Sequence, residues 1–436
     1  MPTETKIAAC GELRNGLNYS QRDEGSGLAI LKVKDFKEHT LVPMSGLDEL
    51  DIARVQMPKD LLLSEGDTVI IRSNGNGDLV GRCLFVRELI RPTAFSGFSI
   101  RFRPNREAIE PRFAFYVLKS PATRERLVAH GSGTGIQSLN QETIGGATFV
   151  LPSRDEQRAI ARVLGALDDK IELNRRLTRT LEELAAALFR SWFVDFDPVV
   201  AKAAGRQPAH LRSELAALFP ATFQDSPLGP IPDGWRVGKV DELASLTRGG
   251  INPGAFPLET FDHYSIPAFD DGRFPRQELG GTIKSNKFPV PSGCVMVSKL
   301  NPDTPRIWLP DVTGERRAVC STEFLVSTPK PPATREFLFG LFSSEAFTSS
   351  FATLVTGTSN SHQRVKPDNL LTTEIVIPDE RLISAFTKLA QPWLAQVTHN
   401  IRESRTLAAL RDTLLPKLLS GELRVKPAEK LVEAKT

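Results

Sequence analysis

Cysteine is scarce in this chain, and the four present, Cys10, Cys83, Cys294 and Cys320, lie far apart with no CxxC pair. That excludes a zinc ribbon and a disulfide scaffold and fits a reducing cytosol. Long apolar runs are missing as well. No stretch approaches the roughly 18 residues a membrane span needs, and Met-Pro-Thr-Glu-Thr-Lys at the start has no signal-peptide character, so the expectation is a cytoplasmic protein. A dominant charge is lacking too. Fifty-five Lys and Arg stand against 52 Asp and Glu, a net +3, so any nucleic-acid surface must be a local patch. Catalytic motifs are equally hard to find. There is no GxxxxGK[ST] and no Gly-x-Ser-x-Gly. Gly131-Ser-Gly-Thr-Gly135 precedes a strand-like run instead of following one and opening a helix, which argues against a dinucleotide or methyl-donor site. Asn301-Pro-Asp lacks the aromatic residue that an amino-methyltransferase motif requires. The six histidines, His39, His130, His210, His263, His362 and His399, show no metal-ligand spacing. The expectation is a chain without a catalytic, cofactor-binding or metal site of its own.

What is present is an ordinary globular composition, 40% hydrophobic and 25% charged over 436 residues, enough for two or three domains. It is also a repeat. ATFVLPSR at 147–154 resembles TEIVIPDE at 373–380, with Pro152 and Pro378 separated by 226 residues. The same offset pairs Gly131 with Gly357, Gln137 with Gln363, Leu139 with Val365, Asn174 with Asn400, Arg179 with Arg405, Leu181 with Leu407, Leu184 with Leu410 and Leu188 with Leu414. With small gaps FAFYVLKS at 113–120 matches FLFGLFSS at 337–344, and GDTVIIRSN at 66–74 matches GCVMVSKLN at 293–301. The chain is two copies of one plan.

Each copy ends in a long helix. Between Arg154 and Phe193 the apolar residues Leu164, Leu167, Ile171, Leu181, Leu188 and Trp192 alternate by threes and fours, placing Asn174 and Thr178 on the same stripe. From about Glu380 to Ser420, Ala390, Trp393, Val397, Asn400, Ser404, Leu407, Leu414 and Leu418 form the matching stripe. Gly421 stands where a helix ends, and Pro416 is expected to bend or end the helix early. Asn174 and Asn400 fall at the midpoints of their helices, so two copies related by a two-fold axis set them face to face in an antiparallel pair, where a polar layer fixes register. Before each helix lies a mixed globule: short β-type runs (GDTVIIRS, GRCLFVREL, FSIRFRP, GATFVLP) with a helical stretch at 111–128, then CVMVSKL, AVCSTEFLVSTP, a helix near 335–352 and TEIVIP. The predicted fold class is α+β, two pseudo-repeated α/β globules joined by two long helices forming an antiparallel coiled coil with pseudo-two-fold symmetry. The divisions are 1–152 and 231–378 for the globules, 153–197 and 379–425 for the helices, 198–230 for a connector with one short helix, and a frayed tail over 426–436.

Two globules on helices of about 60 Å hold two recognition surfaces apart, as two half-sites on a duplex require. Residues 82–126 contain ten basic residues, nine of them Arg, against four Glu, a local excess suited to phosphate and guanine edges. Candidate DNA-binding residues lie at equivalent places in both copies. One set comprises Gly133, Thr134 and Gln137, matched by Ser361, His362, Gln363, Arg364 and Lys366; small residues let backbone N–H groups approach phosphate, and Gln pairs with adenine. The other comprises Arg72, Asn74 and Arg82, matched by Lys299, Asn301 and Arg306, with Arg101 and Arg103 in the basic stretch. The glycines and Asn74-Gly75 read equally well as turns.

The string LPSRDEQRAIARVLGALDDKIELNRRLTRTLEELAAALFRSWFVDFDPVVAKAAGR resembles the central conserved region of type I restriction-modification specificity subunits. IPDGW at 231–235 resembles the start of their second target-recognition domain, and LLPKLLSGELRV at 414–425 their C-terminal conserved region. The resemblance implies that the globules are target-recognition domains of a non-catalytic subunit binding a bipartite, asymmetric DNA sequence. It further implies two modification subunits, which bring S-adenosylmethionine and methylate adenine, and two restriction subunits, which use ATP and Mg to translocate and cut; none of these cofactors binds the specificity subunit itself. Two other readings stay open on the residues alone: the recognition part of a single-chain restriction and methylation enzyme, and a coiled-coil scaffold that binds only protein.

Overall fold

The computed structural model describes residues 3–36, 39–55, 59–129, 138–356 and 363–433. The chain divides into two compact units, residues 1–173 with 403–436, and residues 174–402.

In the first unit a four-stranded antiparallel sheet runs in the order Gly11–Asn15, Ser99–Pro104, Thr68–Ile71, Cys83–Phe85. A three-stranded sheet has Gly27–Leu31 at its centre, antiparallel to Asp48–Asp51 and parallel to Thr93–Phe95. Thr3–Lys6 pairs with Thr148–Leu151. Thr68–Ile71 is buried throughout, and its residues serve two cores in alternation. Ile70 packs with the helices Pro111–Lys119 and Arg154–Phe193, whereas Val69 and Ile71 pack with Leu31, Phe36 and Phe95. A strand covered on both faces has no polar alternation, which is why it reads as a continuous apolar run. Each buried Ile or Val contributes roughly 1.5–3 kcal/mol.

The second unit repeats this plan, with Phe288–Pro289 added as a fourth strand antiparallel to Arg317–Cys320. Ala244–Leu246, Phe324–Pro329, Val295–Ser298 and Ile307–Trp308 form the four-stranded antiparallel sheet. Thr260–Tyr264 is antiparallel to Arg276–Leu279 and parallel to Arg317–Cys320, and Arg236–Lys239 pairs with Glu374–Ile377. Met296 packs with Tyr264 and Trp308, while Val295 and Val297 pack toward Phe337 and the helices. The pair Arg335–Ser343 and Glu345–Thr353 matches Pro111–Lys119 and Pro121–Ala129. Both pairs break at an equivalent serine, Ser120 and Ser344, each of which caps the second helix through its hydroxyl.

The long helices are Arg154–Phe193 and Glu380–Ser420, one half of each in each unit. In the first unit Lys170 Nζ lies 3.5 Å from Glu403 and Asp168 Oδ1 lies 2.6 Å from Arg411, a pairing in which numbers rise on one helix as they fall on the other. The helices there are antiparallel. In the second unit Phe189, Trp192 and Phe193 meet Phe386 with ring centroids 5.5–6.4 Å apart. Asn174 and Asn400 are both buried, at 3% and 2% exposure.

Three expectations need correction. Pro416 does not stop its helix, which runs on to Ser420; Gly421, at φ 77°, then ends it, with Leu423 N donating to Lys417 O. The segment after Lys426 is not frayed over its described length: Val425–Glu433 is helical, and Ala428 and Val432 are buried in the first unit's core. The connector holds two short helices, Asp197–Ala203 and Ser213–Ala216, and is part of the second unit's core through Val199 and Phe219, the latter edge-on to Trp192 at 5.1 Å. Among the described residues no helix is long and apolar enough to cross a membrane.

Candidate nucleic-acid interface

In each unit the chain leaving the central strand of the four-stranded sheet is bridged to the segment entering a short helix. In the first, Ser73 and Ser138 form an antiparallel bridge, and Leu139 N donates to Arg72 O at 2.8 Å. In the second, Leu300 and Arg364 form the matching bridge, Val365 N donates to Lys299 O and Asn301 N donates to Gln363 O, each at 3.0 Å. The two candidate sets, far apart in sequence, are therefore joined at one place in each unit. Lys299, Asn301, Gln363, Arg364 and Lys366 gather in the second unit. In the first, Arg72, Asn74 and Arg82 gather beside Ser138, while Gly133, Thr134 and Gln137 lie outside the described residues, as do Ser361 and His362.

Local chemistry explains how these side chains are held. Asn74 Oδ1 accepts from Asn76 N at 2.8 Å and Asn76 Oδ1 accepts from Asp78 N at 3.0 Å, so consecutive side chains shape the turn. Arg82 Nε donates to Asp78 O across it. Asn301 sits at φ 50°, a left-handed conformation Asn tolerates, and its buried Oδ1 has no hydrogen-bond partner among the described residues. Arg364 makes a two-pronged ion pair with Glu323, at 2.9 and 3.0 Å, with its side chain 44% exposed. The hydrogen bond to Glu323 raises the Arg364 pKa further above its ordinary value. The pair presents a charged, oriented fork at the surface.

Three other candidates are spoken for. Arg101 is 1% exposed; its guanidinium donates to Asp60 O under the sheet, and burial lowers its pKa. Arg103 grips Asp67 with Nε and Nη2 at 2.8 and 2.7 Å, and Arg306 grips Asp270 at 2.8 and 3.0 Å. Arg101 fastens a strand to a loop inside the unit, so it is withdrawn as a DNA contact. The basic stretch 82–126 is likewise partly internal: Arg112 and Arg87 both hold Asp169, and Arg124 bonds Val80 O at 3.1 Å.

Two residues absent from the sequence-based candidates belong here. Phe98 is 63% exposed, and its carbonyl accepts from Arg72 N at 2.9 Å. At the equivalent point Lys299 N donates to the carbonyl of Glu323 at 2.9 Å. Phe98 and Glu323 share no chemistry, so only strand pairing reveals that they occupy one position. Among the described residues no group of three or more His, Cys, Asp or Glu could hold a metal ion. All four cysteines are buried, and burial pushes the Cys83 and Cys294 thiols up to about 12.

The family described as "Type I restriction modification DNA specificity domain" matches residues 57–183. The chain is 26% identical over 403 residues to the type I restriction enzyme HindI specificity subunit of Haemophilus influenzae, covering 79% of this chain and 84% of the relative. It is 23% identical over 333 residues to the MjaIX specificity subunit of Methanocaldococcus jannaschii, covering 74% and 71%. A solved structure of a type I restriction-modification S subunit from M. genitalium is similar in fold, with a TM-score of 0.55 at 13% identity over 96% of both chains. The repeated architecture, the conserved-region strings and these likenesses agree: the chain is similar to type I restriction-modification specificity subunits in sequence and in fold.

Proposed function

We propose that this chain is the DNA-recognition subunit of a type I restriction-modification complex, non-catalytic by itself, reading a bipartite and asymmetric duplex sequence with one recognition domain per half. The observation that carries the reading is the constellation of strand end and bridged loop, present in both units at equivalent positions with different side chains. One plan used twice supports two half-sites, and divergent side chains support two different ones. In this reading residues 1–152 and 231–378 carry the recognition surfaces, and the helical segments 153–197 and 379–425 hold them and recruit the partners. Those partners are two modification subunits, which bring S-adenosylmethionine, and two restriction subunits, which bring ATP and Mg, acting on DNA in the cytoplasm.

The test is co-purification with a modification subunit, followed by duplex binding and methyl transfer. The isolated chain is expected to transfer no methyl group and cut no DNA; the complex is expected to bind one sequence over others and methylate adenine in it. Methyl transfer by the pure isolated chain, or a complex that binds all duplexes alike, contradicts the reading.

A further inference from the structure

The tip residue between Thr93–Phe95 and Ser99–Pro104 and its counterpart before Phe324–Pro329 occupy the same topological point. Each gives its carbonyl to the residue that follows the central strand of its sheet, Phe98 to Arg72 and Glu323 to Lys299. Each therefore stands next to the candidate DNA-binding set of its own unit. A lone exposed apolar residue needs no explanation in general. Phe98 is different because of how it is held. Ser99 N donates to Ser96 O at 2.9 Å and Gly97 N to Leu17 O at 2.8 Å, closing a tight turn against the segment that follows Gly11–Asn15. A Cβ on Gly97 would meet the tip of the Asn18 side chain at 2.1 Å, so a larger residue there would displace Asn18, while the side chain at 98 is exposed. The turn leaves an aromatic ring exposed on the residue whose carbonyl accepts from Arg72 N, at a position where the other unit has a carboxylate that orients an arginine.

Resting on the specificity-subunit reading, we propose that this shared position determines base specificity: Phe98 reads a thymine through its C5-methyl group in one half-site, and Glu323 positions Arg364 to read a guanine in the other. Apolar side chains contact the thymine methyl, and Arg forks onto guanine O6 and N7, in the major groove. The Nε and Nη2 edge of Arg364 is engaged by Glu323, which sets the plane of the guanidinium. The same backbone position thus carries an apolar reader in one unit and a hydrogen-bonding reader in the other, which makes the two half-sites chemically unlike.

The experiment uses the complex of this chain with its modification subunit. Methylated positions in DNA from cells carrying the complex first give the target sequence. Duplexes are then made with uracil replacing each thymine, and 7-deazaguanine each guanine, one at a time. One thymine of one half-site is expected at which uracil weakens binding about fourfold, the loss of one buried methyl. Phe98→Ala should bind the thymine and uracil duplexes at that position equally, and Phe98→Leu should restore the difference. In the other half-site one guanine should lose affinity about tenfold on 7-deaza substitution, and Arg364→Lys should abolish that discrimination. Glu323→Gln should reduce the guanine preference while leaving the thymine preference intact. If Phe98→Ala keeps the uracil effect at every thymine, or lowers affinity for all duplexes equally, the proposal is overturned although a bipartite target still supports the specificity-subunit reading. If the complex methylates no defined sequence at all, that broader reading fails instead.

Discussion

The most informative single residues are the ones the repeat does not share. Asp168 is fully buried in the first unit, bonded to the Tyr116 hydroxyl at 2.6 Å and to Arg411 at 2.6 Å. Burial pushes its carboxyl up, but Lys119 and Arg411 outweigh that and the net shift is downward. The second unit has Gly340 where the first has Tyr116, and a Cβ there would lie 2.4 Å from the Phe189 ring. An ionic seat in one unit thus corresponds to an aromatic seat in the other. Lys119, partly buried, bonds Thr40 Oγ1 at 2.9 Å with its ammonium 5.5 Å from the centre of the Phe115 ring. Burial lowers its pKa from 10.5 to about 8; Asp168 opposes that shift, and the Arg411 charge adds to it. The folded chain therefore releases this proton near pH 8, whereas the unfolded chain keeps it to about 10.5. Between those values the unfolded state binds more protons, so stability rises with pH. Denaturation midpoints measured from pH 7.5 to 10 should show the wild type gaining about 1–2 kcal/mol relative to Lys119→Met. A gap that stays constant with pH would mean an ordinary, solvated ammonium. Little of this was legible in the sequence. Arg101 looked like any other cation of a basic stretch, and only the sheet around it makes it internal. Phe98 carried no signal, because its counterpart is a glutamate.

At the level of elements the sequence is far more transparent. The three-four spacing of Leu164, Leu167 and Ile171 predicts the long helix because a buried stripe must recur with the helical period, and all three are buried. The strands serving two cores were found as apolar runs for an equally physical reason. Pro416 misled, since tertiary packing of Leu414, Leu415 and Leu418 holds the helix through it. The Val425–Glu433 helix escaped because a short charged segment buries only a narrow apolar face. Asn174 and Asn400 are the element-scale case that remains a proposal. Continuing the Lys170–Glu403 register by four residues sets Asn174 level with residue 399, one position from Asn400. Asn400 Oδ1 accepts from Gln396 Nε2 at 2.8 Å, and its Nδ2 has no partner among the described residues. A buried amide held this way fixes alignment at a cost in stability. Changing both to Leu should raise the melting temperature by several degrees, about 1–2 kcal/mol, while broadening the set of spacers the complex methylates. A double variant that melts lower, with the spacer unchanged, removes the register role.

For the whole molecule, the duplication says more than any residue. Two units of one topology with unlike seats on the helices and unlike side chains at the tip position are what two independent readers require. Their separability has a structural condition. Thr3–Lys6 pairs with Thr148–Leu151, so an exchange of the first reader must end after Pro152 to keep that pair whole. The donor must also supply Tyr116 and Lys119, or equivalents, to face Asp168 and Arg411. The most direct measurement of the central claim follows: exchange residues 1–152 for those of another specificity subunit meeting these conditions, express the chimaera with the modification subunits, and read the methylated sequence from the DNA of those cells. The account predicts that one half of the recognised sequence changes to the donor's while the other half stays as it was. A change in both halves, or in neither, would contradict it.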